Sequence, residues 1–523
     1  MKDLKRKTIR GGAAKVCAQV ANLLLRTGSL MILARILDPK DFGLVGMVTA
    51  VIGVFSVFRD FGLSAAAVQR MTVTEEQAST LFWINLLVGA VLGLLALAMA
   101  PIVVAFYHEQ RLFGVTAVLA TAFLFNAAGV QHSSMLERQM RFITLSVIDI
   151  VSLSVSTAIG IGMALRGFGY WALVATTIVT PIIYTTGVWM TTAWVPGRPR
   201  KQAGIRSMLR FGGTVTLNGL VMYIASNFEK VLLGRFWGVD ALGIYGRAYQ
   251  LINIPTDNLN SAAGGVAFAA LSRLQNEPSR LKSYFLKGYS LVLALTVPIT
   301  FICALFADDM ISVFLGPKWH SAAGVFRLLA PTTLAFAILN PLGWLLNALG
   351  LVGRGLKIAL VLGPVMVTGY LVGLRYGPKG VASAYSVVMI LCLIPLIAWV
   401  TQGTVISVRD ILLTVSRPLL SGIVAAGLAF GLQFLFGPAF LPLPRLVLGV
   451  IVVLSAYLGM LLYVMRQKAF YLDLLRGLRK PSPVEELIAS ASGTATAGPV
   501  TRVFAQETSP EMPGWDVPPR AKP

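Results

Sequence analysis

Residues 12–70 read GAAKVCAQVANLLLRTGSLMILARILDPKDFGLVGMVTAVIGVFSVFRDFGLSAAAVQR. Two apolar stretches, 12–36 and 42–68, meet at Leu37-Asp38-Pro39-Lys40-Asp41, and each carries charge inside it. Arg26 sits near the middle of the first, and Arg59 stands beside Asp60 in the second. About 20 apolar residues suffice to cross a bilayer as a helix. A charge near the bilayer centre costs about 2.5–3.5 kcal/mol even on the gentlest insertion scales, so it faces a bundle interior or a water-filled cavity. The stretch therefore predicts two membrane helices that line something wet.

The same stretch recurs, without a gap, 200 residues later. Ala34-Arg35-Ile36 and Phe42-Gly43-Leu44-Val45-Gly46 align with Gly234-Arg235-Phe236 and Leu242-Gly243-Ile244-Tyr245-Gly246, and Gly12 meets Gly212. Chance matching of Gly and Arg at helix ends is the plain alternative. The repeat is the better reading because each match falls at the same hydropathy boundary. Matched halves around a shared, charged interior are a transporter architecture.

Composition agrees with that class. Of the 523 residues 56% are apolar and 13% charged, and the mean hydropathy is +0.76, far from a soluble domain. Cys17, Cys303 and Cys392 all lie in apolar runs, which argues against a disulfide framework or a metal site. His108, His132 and His320 are scattered, and no phosphate-binding G-x-x-x-x-G-K-[ST] loop is present, so the sequence implies no cofactor. A net charge of +22 would suggest nucleic acid in a soluble chain. Here the bases alternate with apolar spans, and nucleic acid is not an expected partner.

Further runs of spanning length fall near 79–105, 112–133, 143–165 and 169–194, then a basic Pro/Gly linker follows from Pro196 to Arg210. The second half gives runs near 211–236, 242–270, 284–306, 322–349, 356–375 and 379–401, with two more near 410–436 and 443–465. The expected fold is an all-α polytopic membrane protein of about fourteen helices. Residues 1–200 would form a six-helix lobe, 201–403 a second, 404–468 two additional helices, and 469–523 a disordered cytoplasmic tail rich in Pro, Ala, Ser and Thr. Pro255, Pro331 and Pro341 are candidate kinks in the least uniform spans. The basic start MKDLKRKTIR precedes an apolar run too long for a signal peptide, so it reads as the cap of a retained first helix. An even span count puts both termini on one side, and placing them in the cytoplasm gives roughly 26 Lys and Arg on that side against roughly 9 opposite.

Arg26, Arg59, Asp60, Asp149, Glu229, Lys230 and Arg247 lie inside or at the edge of apolar runs, and Asn126, Asn218, Asn227, Asp257, Asn258, Asn260, Asn340 and Asn347 add polarity. The planar, permanently charged guanidinium matches a diphosphate with two parallel hydrogen bonds, while amides and hydroxyls suit sugar hydroxyls. Arg26, Arg59, Arg247, Asn218 and Asn258 are therefore the candidate substrate-binding residues, and Asp60, Asp149, Glu229, Lys230 and Asp257 the candidates for ion coupling or gating. Each has a duller counterpart. Arg59 and Asp60 suit a local ion pair, Asp149 a bond within the bundle, and Arg35, Arg235 and Arg247 snorkelling at span ends. Glu229 and Lys230, adjacent on a helix, point about 100° apart and cannot face one partner.

Leu136-Glu137-Arg138-Gln139-Met140-Arg141-Phe142 and Gly167-Phe168-Gly169-Tyr170-Trp171-Ala172-Leu173-Val174 complete a pattern begun by Leu37-Asp38-Pro39-Lys40-Asp41-Phe42-Gly43 and Phe58-Arg59-Asp60-Phe61-Gly62-Leu63-Ser64-Ala65-Ala66. Together these resemble the Wzx-type flippases of lipid-linked oligosaccharides in the multidrug/oligosaccharidyl-lipid/polysaccharide exporter superfamily. The resemblance is tightest over residues 10–200 and looser, by architecture, to about 465. It implies a twelve-helix, two-lobe core with two extra helices in the bacterial inner membrane. It implies flipping of an undecaprenyl-diphosphate-linked glycan from the cytoplasmic to the periplasmic leaflet, next to polymerase or export machinery. Related carriers of peptidoglycan precursor bear cavity arginines in the first, second and eighth spans, which Arg26, Arg59 and Arg247 occupy here. A drug/cation antiporter of the same superfamily would want an acidic cavity, whereas the mid-span balance here leans basic. A membrane polymerase or ligase would need a catalytic outward loop, and the longest, near Phe306 to Ala322, offers only Asp308, Asp309, Lys318 and His320.

Overall fold

The computed structural model describes residues 2–58, 74–139, 141–199, 220, 223–224, 226–436 and 441–472, with side chains described from residue 19 onward except at 261, 262, 266, 269, 352 and 434–436. These residues are helical, and no strand occurs among them. The first half contains α1 (Lys2–Ile36), α2 (Pro39–Ser56), α3 (Glu75–Ala98), α4 (Ala100–Tyr107), α5 (Arg111–Arg138), α6 (Phe142–Leu165) and α7 (Tyr170–Thr192). Then come α8 (Phe228–Arg273), α9 (Pro278–Leu305), α10 (Ala307–Phe314), α11 (His320–Ala348), α12 (Val352–Leu374) and α13 (Gly377–Thr401). Last are α14 (Val408–Phe436) and α15 (Pro442–Gly459), the latter running into a π turn, Met460–Val464.

Local chemistry sets the boundaries. The α1–α2 turn closes because Asp38 caps α2, Pro39 pre-sets the first helical turn, and the Asp38 amide donates to Asp41 Oδ2 at 3.1 Å. Thr74 and Gln77 make the reciprocal capping box that starts α3, each bond 3.2 Å long. Helix α8 is two helices meeting at Gly238, whose φ of +80° is a backbone conformation open to glycine. Past that break it runs on through Pro255, and α11 runs through Pro331 and Pro341 without ending.

The packing is that of helices in lipid. Helix α3 turns Leu87, Val91 and Leu94 outward and buries Asn85, Gly89 and Ala96 beside Leu81, Phe82 and Leu92, so small and polar residues share the contacts while other large apolar ones face outward. Among the described residues eleven helical stretches are long and apolar enough to cross a membrane. The expected count of fourteen also needs spans near 12–36, 211–236 and 242–270. The first and third belong to the long helices α1 and α8, and nearly half of the second lies outside the described residues.

The 200-residue repeat is visible in the packing. In the first half α5 packs on α3 and α7, and α7 on α6; in the second α11 packs on α9 and α13, and α13 on α12. The halves meet where α2 crosses α8. There a Cβ on Gly43 would strike the Val239 carbonyl, and a Cβ on Gly243 would strike the Pro39 carbonyl. Val239 and Pro39 are themselves 200 residues apart, so the contact is reciprocal. Gly46 and Gly246 are different, since a Cβ meets only the Leu242 side chain at 3.5 Å in one case and open space in the other.

One end of this crossing is sealed. Trp319, fully buried in the 3-10 turn Pro317–Trp319, donates its indole N–H to the Ala34 carbonyl at 2.7 Å and meets the Phe42 ring edge-on at 5.3 Å. Arg35 donates to the Val313 carbonyl at 2.7 Å, and Lys318 reaches Asp38 at 2.8 Å. The stretch from Phe306 to Ala322, expected as a plain loop, is thus a short helix and turn that bind the α1–α2 corner. The terminal pair α14–α15 packs on α9, and Arg445 grips the buried Asp309 of α10 with two Nε bonds of 2.8 and 2.9 Å. Residues Met1–Met465 form one compact unit. In the second, Arg466–Pro523, residues 468–472 are helical, and the rest of the expected tail lies outside the described residues.

Candidate functional site

Below the sealed end the chain encloses a cavity of about 790 Å³ between α1, α2, α6, α8 and the segment that precedes α8. That is ample for a drug-sized ligand or larger. Its lining includes three cations, Arg26, Lys230 and Arg247, and two carboxylates, Asp149 and Asp257.

Arg26 is exposed into this space and makes no hydrogen bond or ion pair to any described residue. A guanidinium in the middle of an apolar helix, exposed into the cavity with no hydrogen bond or ion pair among the described residues, is poised for a ligand. Arg247 lies over the Phe42 ring, 4.5 Å from its centroid, and its guanidinium donates to Gln250. The snorkelling expected for it does not occur, because α8 turns at Gly238 and carries Arg247 more than two turns inward from that break. Lys230 donates to Asn227 Oδ1 at 2.8 Å and stands 4.8 Å from the Tyr249 ring centroid. The two halves supply cations to the same space. Tyr223 reaches across as well, donating its hydroxyl to the Thr49 carbonyl of α2 at 3.1 Å.

The structure brings together Arg26, Asp149, Lys230, Arg247, Asp257 and Asn258 in this one cavity. Arg59, Asp60 and Asn218 lie outside the described residues. Of the adjacent pair, Lys230 faces the cavity and Glu229 turns away into the protein, where neither carboxylate oxygen has a hydrogen-bond partner among the described residues. Around Glu229 stand Tyr245, Tyr249, Tyr370 and Tyr385, all within its electrostatic reach, and Tyr249 stacks with Tyr245 and Tyr385 at 6.0 and 6.2 Å. Sequence reasoning passed over Gln19, Asn22, Gln250 and Asn253, which also line the cavity. The signal was there on α8, where Gly246, Arg247, Gln250, Asn253 and Asp257 recur at the spacing of one helical face.

Helices of both halves packed around a polar cavity that is sealed at one end make an arrangement shared with repeat-built membrane transporters. The chain belongs to the polysaccharide biosynthesis protein family, which it matches over residues 32–324. It is 31% identical over 296 residues to the teichuronic acid biosynthesis protein TuaB of Bacillus subtilis (strain 168), covering 56% of this chain and 61% of that protein. It is 24% identical to the lipopolysaccharide biosynthesis protein WzxC of Escherichia coli (strain K12), covering 74% of this chain and 80% of that one. Identity to the succinoglycan biosynthesis transport protein ExoT of Rhizobium meliloti (strain 1021) is also 24%, with 65% and 68% covered. Among solved structures the fold matches the lipid II flippase MurJ in an inward closed conformation, with a TM-score of 0.71, 14% identity, and 89% of this chain and all of that one covered. It also matches an inward-facing multidrug resistance transporter of the MATE family, with a TM-score of 0.60, 14% identity, and 75% and 97% covered.

Proposed function

We propose that this protein is a flippase that carries undecaprenyl-diphosphate-linked oligosaccharide units from the cytoplasmic to the periplasmic leaflet of the bacterial inner membrane, for exopolysaccharide or lipopolysaccharide synthesis. The observation that carries this reading is Arg26, with no hydrogen bond or ion pair among the described residues, in a large cavity with Lys230 and Arg247. Three cations lining one cavity suit a diphosphate head and disfavour a cationic drug. The family and its relatives support the same class of cargo.

In this reading residues 1–200 and 201–403 are six-helix lobes, and the two terminal helices are accessory. Both termini are cytoplasmic, as the excess of Lys and Arg on that side requires, so the sealed end faces the periplasm and the cavity serves the cytoplasmic leaflet. The head enters and its diphosphate meets Arg26 and Arg247, while the polyprenyl tail stays in lipid. The lobes then rock about the α2–α8 crossing, the periplasmic seal parts, and the cavity opens outward. An inside-negative potential drives a negative head outward by about 2.3 kcal/mol per charge per 100 mV. The exported unit would pass to polymerase or export machinery.

The test is flipping of a fluorescent undecaprenyl-diphosphate oligosaccharide in proteoliposomes by wild type, Arg26→Ala and Arg26→Lys at matched protein levels. Wild type flips, Ala loses roughly tenfold or more, and Lys recovers only part, since charged hydrogen bonds carry about 1.5–3 kcal/mol and Lys lacks the fork. Full activity in Arg26→Ala, or no flipping by wild type, overturns the reading.

A further inference from the structure

The charges in the cavity are sorted by depth. Arg26 lies ten residues below the end of α1 at Ile36, Arg247 nine beyond the Gly238 break and Lys230 eight before it, which puts all three about 12–15 Å from the sealed end. Asp257 lies 19 residues beyond Gly238 and Asp149 16 below the end of α6 at Leu165, or about 24–28 Å down. The end of α6 marks the same level, because Gly169 abuts Asp41 of the α1–α2 corner. With the carboxylates, at similar depth, come Gln19, Asn22 and Asn258. The inner tier is cationic, and the outer tier is made of carboxylates and amides.

Neither Asp149 nor Asp257 hydrogen-bonds or ion-pairs with any described residue, and both are exposed into the cavity. Arg26 stands within electrostatic reach of Asp149 but not in contact with it. Two carboxylates with no hydrogen bond or ion pair among the described residues, beside a site for an anion, are a liability unless the ligand meets them with something else. A phosphate placed in the outer tier would be repelled. A sugar would not be, because each carboxylate presents two acceptor oxygens, which match the paired O–H donors of a vicinal diol, and the amides both donate and accept.

We propose that the outer tier is a glycan subsite in which Asp257 and Asp149 accept hydroxyls of the sugar joined to the diphosphate. This rests on the flippase reading and narrows its substrate class to lipid-diphosphate glycans whose first sugars keep free vicinal diols. The sorting also orients the head, with phosphates inward against Arg26, Lys230 and Arg247 and sugar towards the mouth. Asp149 comes from α6 and Asp257 from α8, so the bound sugar touches both halves of the protein.

The experiment measures binding of undecaprenyl diphosphate and of undecaprenyl-diphosphate-glucose to the purified full chain in lipid nanodiscs. Wild type is expected to prefer the glucosylated lipid by roughly tenfold or more, as polar sites matched to substrate hydroxyls do. Asp257→Ala and Asp149→Ala should each remove most of that preference without weakening the bare lipid. Asp257→Asn, which keeps one acceptor and the shape, should retain part of it, and this guards against misfolding. Arg26→Ala should weaken both lipids together. Equal binding of the two lipids by wild type, or an equal loss for both in Asp257→Ala, overturns the subsite and leaves the flippase reading standing. The second of these outcomes would make Asp257 a group that supports the cavity as a whole and not the sugar alone. If wild type binds neither lipid, the flippase reading itself fails, and the subsite with it.

Discussion

Gly43 and Gly243, 200 residues apart, lie back to back where α2 crosses α8, each against the carbonyl of the residue four positions before the other. The contact is backbone on backbone, so neither side has a flexible group that can give way. It brings the two halves as close as helices pack, which is how helices associate in lipid without a hydrophobic driving force.

Gly43→Ala and Gly243→Ala should each destabilise the fold by about 1–3 kcal/mol, the usual range for overpacking a tight contact. Gly246→Ala, which adds a methyl to open space, should leave the thermal midpoint unchanged. Thermal unfolding of the three variants in detergent checks this. A midpoint unaffected by Gly43→Ala would mean the halves do not meet at this distance.

Trp319 and Lys318 hold the sealed end shut. Trp319→Phe keeps the aromatic contact with Phe42 and deletes the bond to the Ala34 carbonyl. A net loss of about 1 kcal/mol shifts an open–closed equilibrium on the order of fivefold towards open. Maleimide labelling of a cysteine placed at Ala34 should quicken by that factor. Lys318→Ala should act in the same direction but more weakly, because the pair with Asp38 is half-exposed.

Asp309 is only 3% exposed, and its carboxylate is held by Arg445. Arg445→Ala strands that charge and should cost about 3–5 kcal/mol. Changing Asp309→Leu and Arg445→Met together should recover most of the loss, since replacing both partners of a buried pair is often neutral. A double-mutant cycle on the thermal midpoint reads the outcome, and simple additivity would show that the pair does not couple.

Glu229 is buried, neither oxygen has a hydrogen-bond partner among the described residues, and the cost of burying its charge outweighs its attraction to the neighbouring Lys230. Glu229→Gln should match or exceed the wild-type midpoint. If the residue serves ion coupling, the same variant loses the dependence of transport on a proton or sodium gradient while keeping substrate binding. A lower midpoint, with transport still responding to the gradient, would make Glu229 structural.

Much of this was legible beforehand. Hydropathy located α2, α3, α5 to α7, α9 and α11 to α15, because a span is a one-dimensional property of about 20 residues. Arg26 stood out for the same reason, as a charge mid-run has few uses. The pair Glu229–Lys230 shows where legibility stops. The 100° between neighbours says that the two face apart, but only the position of Tyr249 and Asn227 says that Lys230 has the cavity. Arg247 was read at a span end because it lies only five residues into the run 242–270, whereas the packing of α8 on α2 puts its guanidinium over the Phe42 ring inside the cavity.

By itself the sequence determined a membrane protein of matched halves with a basic interior, since apolar length, charge position and a 200-residue repeat are all written along one dimension. The tertiary structure alone decided which end is sealed, because Trp319 and Ala34 come from helices 285 residues apart and meet only through packing. It alone sorted the cavity into a cationic inner tier and an acidic outer one. Depth along a bundle depends on where each helix begins relative to its neighbours, and that offset is set by contacts between halves that no single stretch of sequence contains.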